Sequence, residues 1–115
     1  MKDTYPIKRV VTRSPNHLTR LELLRRQILL EEGQSKTSRA FRLLLAHKGN
    51  WVTLPLIGKT VQSRSVASLI GELRKQGCVV ENRLEKDRAH RNGEPCETHS
   101  WYRLVKEPKE IAKEL

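Results

Sequence analysis

The chain has 115 residues, of which 37% are hydrophobic, enough to fill one small core but hardly two. Its 23 lysines and arginines against 13 acidic residues give a net charge of +10, which favours a polyanionic partner through Coulombic attraction and counterion release. Because the sequence contains neither a run of about eighteen apolar residues nor a signal-peptide core, we expect a soluble, cytoplasmic protein with reduced cysteines.

The basic excess is concentrated in the middle of the chain. Residues 1–33 carry seven basic and four acidic side chains, residues 34–84 carry nine and two, and residues 85–115 carry seven of each. The excess is therefore +3, then +7, then 0, so we expect the polyanion-binding surface to lie within residues 34–84.

The first 16 residues include two prolines and show no sustained hydrophobic period, which predicts a basic arm that is flexible or laid along a surface. Asn16 is expected to cap a helix running from His17 to about Glu32, with Gly33 ending it. The residues of this helix that fall at helical spacing are Leu18, Leu21, Leu24, Ile28 and Leu29.

Leu23 and Leu30 widen this apolar stripe beyond what one docking face needs. We therefore predict that Leu21, Leu24 and Ile28 contribute to an interface with another chain, and a homodimer is the favoured arrangement. A different protein partner is the main rival, and the helix could also cover its own domain as an added layer.

A second helix is predicted from Ser38 to Lys48, with Gly49 closing it in left-handed geometry. Its expected buried residues are Phe41, Leu44 and Leu45. A short strand at residues 51–52 then leads to Thr53, which is expected to cap a third helix whose first turn contains Pro55 and whose inward residues are Leu54 and Ile57.

A turn is predicted from Gly58 to Gln62, followed by a fourth helix capped by Ser63. The residues that recur at its buried positions are Val66, Leu69, Ile70 and Leu73. The opposite face carries Arg64, Ser68, Gly71 and Lys75. A glycine inside a helix costs about 1 kcal/mol relative to alanine, so close packing or the close approach of a ligand is expected at Gly71.

Gly77 is expected to end the fourth helix and to lead into a two-stranded hairpin. In the first strand Cys78, Val80 and Leu84 alternate with Val79, Glu81 and Arg83, and the second strand runs from His99 to Leu104. The loop EKDRAHRNGEPCET joins them with a strong Asn-Gly turn signal. The tail after residue 104 is charge-balanced, with a weak helix after Pro108 and no evident chemistry.

The segments WVTLPLIG, SRSVASLIGELRKQGCVVENR and HSWYRL resemble the winged helix-turn-helix domain of small phage, prophage and bacterial DNA-binding proteins. The shared marks are Trp51, Leu54-Pro55, Glu72-Leu73-Arg74 and the closing Trp101 to Leu104. The resemblance covers about half of the chain. It implies a mainly helical α+β fold with a two- or three-stranded antiparallel sheet. The implied organisation is an arm at residues 1–16, an added helix at 17–33, the winged domain at 34–104 and a charged tail at 105–115.

In this fold the recognition helix enters the major groove, where base edges are distinguishable. The candidates for base or phosphate contact are Gln62, Ser63, Arg64, Ser65 and Ser68, with Arg64 the first choice. Lys59 and Lys75 are expected to bracket the helix and to bind phosphates. Lys86, Arg88 and Arg91 would place the wing on the DNA, although four nearby acidic residues offset their charge.

A competing hypothesis is a zinc site built from Cys78, His90, Cys96 and His99. The spacing is irregular, because only Cys96 and His99 form a close pair, so we expect no metal and no cofactor. No nucleophile, base and acid converge by motif, which indicates that the protein is not an enzyme. The leading hypothesis is a sequence-specific double-stranded DNA-binding protein, acting as a transcriptional regulator or a DNA-transaction factor. The alternative is a winged-helix adaptor that binds a protein or a nucleoprotein complex.

Overall fold

A computed structural model describes residues 4–12, 18–87 and 98–115, with the backbone alone described for 4–12, 85–87 and 98–99. These residues form a mainly helical α+β fold with one antiparallel sheet, as predicted. The elements in chain order are β1 Thr4–Thr12, α1 Arg20–Glu32, α2 Lys36–Ala46, β2 Val52–Thr53, α3 Leu54–Val61, α4 Val66–Lys75, β3 Val79–Asp87, β4 Thr98–Lys106 and α5 Pro108–Glu114. No helix among the described residues is long and apolar enough to span a membrane.

The sheet has the strand order β1-β3-β4-β2, so the described residues contain four strands rather than the predicted two or three. The β3–β4 hairpin confirms the predicted one, and β2 pairs with β4 through Val52 and Tyr102. The additional strand is β1, which lies along β3 in the segment predicted as a flexible arm. Pro6 is tolerated there because β1 is an edge strand, and the register shifts between Pro6 and Lys8. Because backbone hydrogen bonds hold this strand to β3, the hydrophobic periodicity of the sequence did not predict it.

Helix α1 begins three residues later than predicted. Its N-cap is Thr19, whose side-chain oxygen accepts from the Glu22 amide at 3.2 Å, so the predicted cap at Asn16, which lies outside the described residues, is wrong. The end at Gly33 is confirmed. Arg42 of α2 stabilises that end by donating to the carbonyls of Leu30, Glu31 and Gly33 at 2.8–3.1 Å.

Helix α1 turns Leu23, Gln27 and Leu30 inward. Leu23 packs with Leu18 and Ala112 in a small cluster, so α5 covers α1 and the tail is part of the packed fold. Most residues of the apolar stripe predicted for this helix lie on the opposite, exposed side of α1. The exposed apolar residues of α1, which we call the α1 apolar face, are Leu21, Leu24, Ile28 and Leu29.

Helix α2 begins at Lys36, two residues before the predicted start, because Ser35 caps it by accepting from the Ser38 amide at 3.1 Å. Phe41 and Leu44 are buried as predicted, but Leu45 is 38% exposed. Leu45 follows Leu44 by about 100° around the helix, which turns it away from the core.

The main core lies between α2, α3, α4 and one face of the sheet. Its principal members are Phe41, Leu44, Val52, Ile57, Val61, Val66, Leu69, Ile70, Leu73, Val80, Tyr102 and Leu104. Leu54 packs against this cluster from its edge.

Strand β3 departs from the predicted alternation. Val79 and Glu81 are buried together with Val80, because β3 is an interior strand between β1 and β4. Glu81 is accommodated by an ion pair with Arg103, 2.9 Å away on the neighbouring strand.

Candidate nucleic-acid interface

The turn between α3 and α4 comes later than predicted, because α3 continues through Gly58 to Val61. Gln62 ends the helix in left-handed geometry, with φ 55° and ψ 50°. The Ser63 amide donates to the Gly58 carbonyl at 2.9 Å, which folds the chain back over the last turn of α3. A Cβ at residue 58 would lie 3.2 Å from the Ser63 carbonyl oxygen, so a larger residue at that position would require the turn to shift slightly.

The serines of this turn form hydrogen bonds that differ from the predicted helix cap at Ser63. Helix α4 begins at Val66, so its N-cap is Ser65 and not Ser63, and no side chain caps the first-turn amides. Ser63 accepts from the Ser65 amide at 3.2 Å, and the Ser65 hydroxyl donates to Ser68 at 2.6 Å. Arg64 therefore lies in the turn, exposed, and not on the face of the helix where it was predicted.

Helix α4 buries the predicted residues Val66, Leu69, Ile70 and Leu73. Its opposite side, which we call the outward face of α4, carries Ser68, Gly71 and Lys75. A Cβ at Gly71 would have no atom within 4 Å, so packing inside the described chain does not require this glycine.

The surroundings of the outward face leave it uncovered within the described residues. Helix α1 contacts only the C-terminal end of α4. There Arg26 donates to the Lys75 carbonyl at 3.3 Å and to the Gln76 side chain at 2.8 Å. Lys75 and Glu72 form an exposed pair at 3.4 Å. Such a surface pair contributes little to stability, so Lys75 can change partners readily.

The predicted contact residues fall into two groups. Lys59, Gln62, Arg64, Ser65 and Ser68 are exposed around the turn, and Ser63 beside them is partly buried. Lys75 lies at the far end of α4, a helix about 15 Å long.

The predicted wing is described only at its base. The backbone of Lys86 in β3 lies opposite Thr98 in β4, while Arg88 and Arg91 are outside the described residues. A role of these three residues in binding stays a prediction.

The described side chains include no group of three or more that could hold a metal ion. Of the four residues of the zinc hypothesis, His90 and Cys96 lie outside the described residues, and the His99 side chain is not described. Cys78 is buried, and burial, with a smaller contribution from Glu107, raises the pKa of its thiol. A raised pKa disfavours the thiolate that zinc requires.

Arg74, a residue of the family pattern, has a structural role. Its guanidinium donates to the Val80 carbonyl at 2.9 Å and ties α4 to β3. Burial lowers the pKa of Arg74, and the adjacent Tyr102 partly offsets that effect.

The sheet carries a cluster that sequence reasoning missed. The Trp51 ring lies 4.6 Å from the Arg103 guanidinium carbon and 5.7 Å from that of Arg83, and Arg103 also pairs with Glu81. The register places Arg83 opposite Trp101 and Glu81 opposite Arg103, so these residues share one face of the sheet. The alternation of the hairpin would have indicated that shared face, although not its contact with Trp51.

Comparison of the chain with protein-family models, with curated proteins and with solved structures finds no match.

Proposed function

We propose that the protein is a winged helix-turn-helix protein that binds double-stranded DNA in a sequence-specific manner, with the outward face of α4 in the major groove. The observation that carries the proposal is the uncovered outward face, at whose centre Gly71 has no neighbour in the described chain. The major groove is about 12 Å wide and admits an α-helix, and a residue without a side chain lets the helix backbone approach base edges closely.

The charges around α4 support the same partner. Lys59 and Arg64 are exposed at one end and Lys75 at the other, and residues 34–84 hold most of the net positive charge. Phosphates on both sides of a groove would meet these cations and release counterions. The uncapped first-turn amides of α4 add donors of the kind that bind phosphate at helix N-termini.

The contact residues have distinct roles in this proposal. Arg64 precedes α4 and reaches guanine or a phosphate from the turn, while Ser68 lies one turn into the helix and faces the groove floor. Lys59 and Lys75 bind phosphates. Biologically, such a protein acts in transcription control or in phage or bacterial DNA transactions.

The test is the salt dependence of binding to random and to selected duplexes. Lys75→Ala should weaken binding equally on all sequences and reduce the slope of log K against log salt by about 0.9, the value for one phosphate contact. Arg64→Ala should also relax the preference at one base position. Lys113→Ala, on the exposed side of α5, is the matched control and should leave both quantities unchanged. Absence of duplex binding at low salt would contradict the proposal.

Gly71→Ala separates binding from folding. Open space around the added methyl group predicts a more stable protein, by about 0.5–1 kcal/mol, because alanine favours the helix. The same methyl group would stand between α4 and the base edges, so duplex affinity should fall. Unchanged affinity would show that DNA does not approach this face.

The second candidate is an adaptor that binds another protein or a nucleoprotein complex. It is favoured by Glu72, an exposed carboxylate beside Lys75 that would repel phosphates, and by the α1 apolar face. Glu72→Gln distinguishes the two functions, because it should strengthen binding to DNA and weaken binding to a basic protein surface.

A further inference from the structure

The α1 apolar face extends over about two turns of the helix, with the exposed Arg25 between Leu21 and Leu29. Leu21, Leu24 and Ile28 follow one another at intervals of three and four residues, and Leu29 adjoins them. All four are exposed, with Leu21, Ile28 and Leu29 more than half accessible. Apolar side chains in a row over two turns of helix indicate a docking surface more strongly than isolated exposed leucines do.

The exposed charged residues of α1 are separated along its length, while Glu22 of the first turn is partly buried and accepts from the Thr19 hydroxyl at 3.0 Å. The exposed residues Arg20 and Arg25 lie in the N-terminal half, and Glu31 and Glu32 form the C-terminal end. Glu31 accepts from the Gln27 side chain at 2.7 Å, which leaves Glu32 as the acidic residue of this end with no described partner. A helix with a basic start and an acidic end is complementary to a copy of itself running in the opposite direction.

We propose that two copies of this chain pair through the α1 apolar face with their α1 helices antiparallel. Pairing centred between Leu24 and Ile28 sets Leu24 of one copy against Ile28 of the other, and the reverse, as an isologous interface requires. The same pairing brings Arg20 of each copy beside Glu32 of the other. A parallel pair would set arginine against arginine and glutamate against glutamate, which is repulsive.

The size of the face predicts the strength of the dimer. Helix α1 has 13 residues and is about 20 Å long, so two such faces bury an area at the low end of specific interfaces. The dimer should therefore dissociate on dilution. This inference does not depend on DNA binding, since pairing is measured without DNA.

The test is sedimentation equilibrium of the full chain over a wide concentration range. Leu24→Lys should raise the dissociation constant at least about tenfold, because it buries an unpaired ammonium group on each side of the interface. Leu45→Lys is the matched control, since Leu45 is 38% exposed on α2 and Leu24 is 39% exposed on α1. The control should dimerise as the wild type does.

Charge exchange tests the antiparallel direction. Arg20→Glu should raise the dissociation constant about threefold to tenfold, since it sets a second carboxylate against Glu32 at both ends of the dimer. The double variant Arg20→Glu/Glu32→Arg should restore the wild-type value. In a parallel pair Arg20→Glu would replace one like-charged contact with another and leave the constant unchanged, which would overturn the proposed direction.

Two results would overturn the dimer itself. One is a wild-type chain that stays monomeric at every concentration. The other is a loss of monomer stability in Leu24→Lys relative to Leu45→Lys, which would mean that another part of the same chain covers the face.

Discussion

Helices α1 and α4 each carry at least four large apolar side chains, yet they distribute them differently. Helix α4 buries Val66, Leu69, Ile70 and Leu73 against one core and leaves a polar side outward. Helix α1 divides its apolar residues between an inner side with Leu23 and Leu30 and the exposed α1 apolar face. Within the described residues, the large apolar side chains of α4 are therefore all covered by the core, whereas α1 leaves apolar surface exposed.

The inner side of α1 also contains the buried polar residue Gln27. Its amide nitrogen donates to Glu107 at 2.9 Å, and its oxygen accepts from the Lys109 amide at 3.1 Å. These bonds link α1 to the start of α5. A buried amide stabilises the fold here because both of its polar ends are satisfied.

The largest expected effect is a difference in stability between substitutions on the inner and the exposed sides of α1. Leu23→Ala should lower the free energy of unfolding by about 2–5 kcal/mol, because Leu23 is 1% exposed and packs against α5. Leu21→Ala, at 58% exposed, should change it by less than about 0.5 kcal/mol in a dilute monomer. Urea unfolding of both variants measures the contrast, and equal losses would mean that the assigned inner side is wrong.

The next effect concerns the polar link between α1 and α5. Gln27→Leu keeps a similar side-chain volume but removes the bonds that Gln27 makes to the Glu107 carboxylate and to the Lys109 amide. The expected loss is about 1–3 kcal/mol. Gln34→Leu, at an exposed position after α1, should be near neutral in the same assay. A stabilised Gln27→Leu would show that the hydrogen bonds do not offset the cost of burying the amide.

Replacement of Gly71 within α4 and of Gly77 after its end by alanine should change the free energy of unfolding in opposite directions. At Gly77 φ is +102° and an added Cβ would lie 2.6 Å from the Leu23 side chain, so Gly77→Ala should cost about 1–2 kcal/mol or more. At Gly71 the added Cβ meets no atom, and alanine should stabilise. Thermal unfolding of both variants reports the signs, and a destabilised Gly71→Ala would reveal packing against that face.

The last effect is a dependence of stability on pH at the junction of α4 and β3. Burial raises the pKa of Cys78 above the unfolded value of about 8.5. Its stabilising contribution is therefore complete below about pH 8.5 and is lost as the pH rises, by about 1.4 kcal/mol per pH unit. Tyr102, whose pKa burial also raises against the opposing effect of Arg74, lowers the stability in the same direction above about pH 10.

Urea unfolding between pH 7 and 10 measures this loss. Cys78→Ala should abolish the decline that begins near pH 8.5, whereas Cys96→Ser should retain it. The same decline in Cys78→Ala would assign the effect to other groups.

The parts of the fold that the sequence predicted are those governed by local pattern. The inner residues of α4, the cap at Thr53 and the left-handed conformations of Gly49 and Gly77 follow from periodicity and from the geometry that glycine allows. The predicted end of α2 at Lys48 was wrong, because the helix ends at Ala46 with His47 as its C-cap. The start of α4 at Val66 was missed because three serines compete for the cap and Gln62 takes up a left-handed conformation usually left to glycine.

Features set by tertiary contacts could not be predicted from the sequence. Leucines surround much of α1, so its buried side depends on where α5 lies, and α5 looked like a charged tail. The pairing of β1 depends on the free edge of β3. The sequence pattern placed Arg64 on the face of α4, whereas it lies in the turn that precedes the helix.

The most direct test of the central claim is a titration of isotope-labelled protein with duplex DNA, followed by the shifts of its backbone amide resonances. If α4 enters a groove, the largest shifts should fall between residues 59 and 75, with Arg64, Ser68 and Gly71 foremost and the α1 apolar face unaffected. Shifts confined to α1 or to the Trp51 and Arg103 cluster, with none in α4, would contradict it.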